Sequence, residues 1–86
     1  MTEPRENRLK RLSMRSMRRG IKEMDIILSR YAEERLDSFD EAALDRYDAL
    51  LSENDQDLYQ WVSGQKPPPD PLRDMILDIS KVAFQR

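Results

Sequence analysis

The chain has 86 residues, of which 38% are hydrophobic and 37% charged, and a net charge of −2. A chain this short makes one small domain and buries about 60–65% of its unfolded surface, which leaves no room for a deep private pocket. It contains neither cysteine nor histidine, so disulfides, thiolate chemistry, the commonest general base and the usual zinc sites are excluded.

The charge is unevenly spread. From Met1 to Lys22 eight basic and two acidic residues give +6, and from Glu23 to Arg86 seven basic and fifteen acidic residues give −8. On charge alone the basic end could face nucleic acid, anionic lipid or an acidic protein patch. No apolar run approaches the ~20 residues of a membrane span, and no h-region follows the basic start. The expectation is a monomeric protein that does not enter membranes. With no long presequence before Arg8, bacterial cytoplasm is favoured; a eukaryotic chain would belong in the mitochondrial matrix.

Residues 1–7 are polar, include Pro4 and lack apolar period, and read as a flexible tail. From Arg8 to Arg18, Leu9, Leu12 and Met17 form a weak apolar stripe among arginines and lysines, which predicts a short basic helix. The plainer reading of its basic face is solvation, with long side-chain stems covering a thin core. Gly20 follows, one of only two glycines; a glycine with positive φ would let one helix end and the next start at an angle. Met24, Ile27, Leu28 and Tyr31 then repeat at i, i+3, i+4 and i+7, and Ile26 adds apolar width, so a central helix buried on more than one side is expected to about Leu36.

Asp40 reads as the cap of a third helix, with Phe39 and Leu44 placed as a hydrophobic staple and Leu44, Tyr47 and Leu51 on its inner face. Asn54 or Asp55 caps a fourth, with Leu58, Trp61 and Val62 inward, Trp61 as a core anchor, and an end near Gly64. Residues 65–70, with three consecutive prolines, form an extended connector. Asp70 and Pro71 are placed to start a last helix whose stripe is Leu72, Met75, Ile76, Ile79, Val82 and Ala83. No stretch alternates with period two. The prediction is an all-α single domain, a small five-helix bundle with no sheet.

This inventory argues against an enzyme. The Ser–His–Asp and Cys–His schemes cannot be built, no metal site is expected, and Gly20 and Gly64 stand alone rather than in a phosphate-binding loop. The rival reading is a small nucleic-acid-binding protein whose basic helix neutralises phosphates. Against that, the acidic remainder would repel a polyanion. A membrane-surface role lacks an aromatic anchor on the basic helix.

The helix junction carries a more specific signal. Arg19-Gly20-Ile21-Lys22-Glu23, between Arg18 and Met24-Asp25, resembles the RGxxE signature of the succinate dehydrogenase assembly factor 2 family, whose bacterial members are FAD assembly factors. The likeness continues through Leu44-x-x-Tyr47-Asp48-x-Leu50-Leu51 and Asn54-Asp55-x-Asp57-Leu58-Tyr59-x-Trp61 to the connector after Lys66. The resemblance implies a five-helix bundle that binds the flavoprotein subunit of succinate dehydrogenase, and in bacteria that of fumarate reductase. Such factors promote covalent attachment of FAD to a histidine of that subunit. By the match Arg19, Gly20 and Glu23 carry the motif, with Arg15, Arg18 and Asp25 beside it and Asp57 and Tyr59 as further candidate contacts. FAD is expected to belong to the partner, with none bound stably by this chain. An antitoxin-like role, also associated with some members, is the alternative. Whether FAD is contacted directly, and the detailed role of Glu23, stay open at this point.

Overall fold

The computed structural model describes residues 3–84, and among them there are five α-helices and no strand. They are α1 (Arg5–Met17), α2 (Lys22–Arg35), α3 (Glu41–Leu51), α4 (Asp55–Val62) and α5 (Arg73–Phe84), with short 3₁₀ turns at Leu36–Ser38 and Asp70–Leu72. The all-α reading holds.

α1 begins earlier than the sequence suggested. The tail assignment covered residues 1–7; Met1 and Thr2 lie outside the described residues, but Arg5 to Asn7 are helical. Tertiary contact explains this: the Arg5 guanidinium donates to the Phe39 carbonyl at 2.6 Å and to Glu41 at 3.3 Å. A polar first turn without apolar period is thus held by charge-assisted bonds to the start of α3. The inner face also differs from the expected stripe. Leu12 is fully buried and Leu9 packs on the core, but Met17 is 55% exposed. Ser16 takes the inward place, its hydroxyl donating to the Leu12 carbonyl at 2.8 Å and sharing a 2.5 Å hydrogen bond with the Tyr47 hydroxyl. Burial pushes the Tyr47 hydroxyl up to about 12, against the lowering effect of that bond.

α2 packs against α1, α4 and α5 and buries Met24, Leu28, Tyr31 and Ala32. It is central but not buried all round, because Ile26 is 60% exposed. The aromatic centre of the core is a trio, with ring centroids of Tyr31, Phe39 and Tyr47 5.7–6.1 Å apart in tilted and edge-on pairs. Trp61, expected as the anchor, is only half-buried and packs at the margin.

The helix ends follow their sequence signals closely. Asp40 accepts from the Ala43 amide at 2.8 Å, and Asn54 accepts from the Asp57 amide at 2.8 Å. α4 stops at Gly64, whose φ of 86° is the left-handed conformation a glycine supplies. There the Gln65 amide donates to the Gln60 carbonyl at 2.8 Å and the Gly64 amide to the Trp61 carbonyl at 3.3 Å, the paired bonds of a Schellman end. Asp70 does not cap α5 as expected. A 3₁₀ turn, Asp70–Leu72, leads into the helix instead, and the Asp70 carboxylate accepts from the Arg73 guanidinium at 2.7 Å.

Candidate partner-docking site at the first helix junction

α1 ends and α2 starts around Gly20, and α2 has no cap from its own N-cap residue, Ile21. The missing cap comes from α4. One carboxylate oxygen of Asp55 accepts from the Gly20 amide and, at 3.2 Å, from the Ile21 amide. A negative charge is thereby fixed at the positive end of the α2 dipole. The other oxygen accepts from Arg19 Nε at 2.5 Å. Arg19 completes the joint by donating to the Leu51 carbonyl at 2.7 Å and the Glu53 carbonyl at 2.8 Å, at the end of α3 and in the α3–α4 loop. The two side chains are 11% and 13% exposed, so this is a nearly dry ion pair in which each of the three guanidinium nitrogens donates one hydrogen bond.

This geometry corrects the reading of Gly20. Its φ is not positive; Gly64 is the only positive-φ glycine among the described residues. What favours glycine is proximity, because a Cβ at position 20 would lie 3.1 Å from Asp55 Oδ2, tighter than ordinary contact.

The other predicted site residues divide into two groups. Arg15 pairs with Asp48 and reaches Ser52 Oγ at 3.4 Å. Asp57 accepts from the Asn54 side-chain amide at 3.1 Å, which closes the cap of α4 reciprocally. Asp25 accepts a long bond from Ser29 Oγ at 3.4 Å, and Tyr59 is half-buried against the core. Arg18 and Glu23, by contrast, are exposed and make no hydrogen bond or ion pair among the described residues. Arg18 lies at the end of a shallow depression along α1 that Lys10 and Met14 also line.

The basic segment is neutralised inside the fold. Arg5 and Arg8 pair with Glu41, Arg8 also with Asp45, Arg11 with Glu3, Arg15 with Asp48 and Arg19 with Asp55. The spacing of these arginines at three or four residues lays them along α3 and the start of α4. Of the eight basic residues up to Lys22, Lys10, Arg18 and Lys22 are left without an ion pair among the described residues. The charge division along the sequence is therefore not a division in space, and little cationic surface remains for a run of phosphates.

Residues 10–83 match the family described as flavinator of succinate dehydrogenase. The chain belongs to that family. Three proteins named succinate dehydrogenase assembly factor 2, mitochondrial, illustrate the likeness. That of Meyerozyma guilliermondii is 44% identical over 75 residues, covering 84% of this chain and 56% of that protein. That of Drosophila grimshawi is 38% identical over 81 residues, covering 92% and 55%. That of Danio rerio is 36% identical over 74 residues, covering 84% and 47%. The chain thus spans about half the length of the curated relatives it matches. Their names speak of succinate dehydrogenase alone. The resemblance read from Arg19-Gly20-x-x-Glu23 is borne out at the level of the family.

In this flavinator-family chain the residue that sequence reasoning missed is Asp55. It appeared as an alternative to Asn54 for capping α4 and as part of the family likeness, with no role at the first helix junction. Two capping residues in succession were the available clue: Asn54 serves α4, and Asp55 is free to serve another helix. The fit to FAD can also be tested here. The start of a helix is the natural cradle for a phosphate, but the Asp55 carboxylate already sits at the start of α2, held by the Gly20 and Ile21 amides just before the helix, and would repel one. The junction does not fit a dinucleotide pyrophosphate, and no step through bound FAD is assigned to this chain. Among the described residues no helix is long and apolar enough to cross a membrane, and no cluster of acidic side chains has the arrangement of a metal site.

Proposed function

We propose that this chain docks on the flavoprotein subunit of succinate dehydrogenase and promotes the covalent attachment of FAD to a histidine of that subunit. The observation that carries the reading is the division of labour at the junction. Arg19 and Asp55 fix the backbone, while Arg18 and Glu23 stand in solvent without partners among the described residues. Ordering two charges on a rigid joint before contact lowers the entropy lost on docking and gives the encounter an orientation.

The chain has no histidine, so the residue that bonds to the flavin comes from the partner, as does the site that holds FAD. The factor acts by positioning: it stabilises a geometry of the flavoprotein in which that histidine and the flavin meet. Arg18 engages partner carboxylates or carbonyls, and Glu23 a partner donor. No group of this chain bonds to flavin or substrate, so it is an assembly factor rather than an enzyme.

The test is in-gel flavin fluorescence of the denatured flavoprotein subunit, co-expressed with and without this chain. Covalent fluorescence rises with the wild type and falls toward the level without the chain for Glu23→Ala. Equal fluorescence in all three samples would overturn the proposal.

A further inference from the structure

A second surface lies at the opposite end of α4 from Asp55. The end of α4, the extended Pro67-Pro68 wall and the outer face of α5 enclose a groove in which Trp61 is half-exposed. Leu77 and Phe84, two turns apart on α5, are 54% and 56% exposed along it. The core-facing residues of α5 are Met75, Ile76, Ile79 and Val82, so these two form a second apolar edge that folding does not use. A pair of large apolar groups beside an indole is more than scattered surface hydrophobicity. The Ser63 hydroxyl, also on the groove wall, is buried and has no hydrogen-bond partner among the described residues. Native structures leave few such groups unmade.

The rim decides what fits. Arg73 lines the groove and pairs with Asp70, Lys66 immediately precedes Pro67 of its wall, and Lys81 lies beside Leu77 and Phe84; both lysines are exposed and make no ion pair among the described residues. The rim is thus cationic on a chain whose net charge is −2. Pro67 and Pro68 offer no N–H donor, so a bound segment cannot add as a strand along that wall and must be held through side chains.

We infer that the groove is a second docking site, occupied by an acidic segment of the flavoprotein subunit that inserts a bulky apolar side chain between Trp61, Leu77 and Phe84. The inference rests on the docking function proposed above. α4 is only ~12 Å long at 1.5 Å per residue, so one partner surface of ordinary extent, about 800 Å² per side, reaches both its ends.

Calorimetric titration of the full chain with purified flavoprotein subunit lacking covalent flavin tests this. Leu77→Asp is expected to weaken binding by about tenfold or more, as for a central apolar contact. Lys81→Glu should weaken it about three- to tenfold, with the effect shrinking as salt rises. Both positions are exposed, so both variants should melt with the wild type; should Leu77→Asp fold poorly, Lys81→Glu carries the test. Wild-type affinity in the folded variants would overturn the groove while leaving the junction reading intact. Failure of the wild-type chain itself to bind would overturn both. A concentration-dependent dimer in sedimentation, abolished by Leu77→Asp, would make a second copy of this chain the occupant and overturn the assignment.

Discussion

Arg19 turns inward at the first helix junction, 11% exposed and bonded to Asp55, Leu51 and Glu53, whereas Arg18, one residue earlier, lies in solvent with no partner among the described residues. Two adjacent arginines in one motif therefore have different physical tasks. The inner one joins the α1–α2 turn to the α3–α4 loop and makes the joint rigid. The outer one, with Glu23, is presented by that joint. A motif is often read as a set of contacts to a partner; here one part of it builds the platform on which the rest stands. The same contrast runs along α1, where the arginines facing α3 are paired and Lys10 has no ion pair among the described residues.

Breaking the inner side gives the largest effect. Asp55→Ala leaves Arg19 nearly buried without its carboxylate and the Gly20 and Ile21 amides without an acceptor. It should cost about 3 kcal/mol, a fall in melting temperature of roughly 12 °C or more, read by thermal circular dichroism. A melt within a few degrees of the wild type would mean that the ion pair is dispensable. Next comes Gly20→Ala, whose Cβ must share space with Asp55 Oδ2. Displacing that carboxylate by a few tenths of an ångström should cost about 1 kcal/mol, and the double variant with Asp55→Ala should show less than the sum, since both act on one contact.

A pH series sharpens the comparison with a pair far from the junction. Burial alone would raise Asp78, but the Tyr31 hydroxyl at 2.8 Å and the Arg35 guanidinium at 3.1 Å outweigh it and hold the carboxyl below its usual range. A carboxyl with a folded pKa below its unfolded one adds stability that is complete above the unfolded value, about 3.9, and is lost as pH falls through the folded value. Asp78→Asn should therefore flatten the acid side of the stability profile below about pH 4 and leave the relative pH dependence above pH 5 unchanged. An unaltered acid limb would remove Asp78 from the account. The smallest effects on stability belong to the outer side: Arg18→Ala and Glu23→Ala should stay within about 0.5 kcal/mol of the wild type.

Much of the architecture was legible because it is local. Asp40 and Asn54 cap the helices that follow them, Gly64 ends α4, and the spacing of Met24, Leu28 and Tyr31 marks the inner face of α2. What escaped was set by contacts between distant elements. Arg5 is helical because α3 holds it, Ser16 is buried because Tyr47 reaches it, and Asp55 caps a helix that starts more than thirty residues earlier. Ile26 and Met17 look like core by hydropathy and face outward, since periodicity gives a face only to within the width of a stripe. The junction was identified from its residue pattern, but which members point in and which point out could not be read there, because Arg18 and Arg19 are chemically the same.

The most direct test of that division compares Arg18→Ala with the wild-type chain by covalent flavin fluorescence of the co-expressed flavoprotein subunit, in samples whose factor melts at the wild-type temperature. The account predicts a clear loss of covalent flavin at unchanged factor stability. Wild-type fluorescence from a stable Arg18→Ala chain would contradict it and leave the motif a structural joint alone.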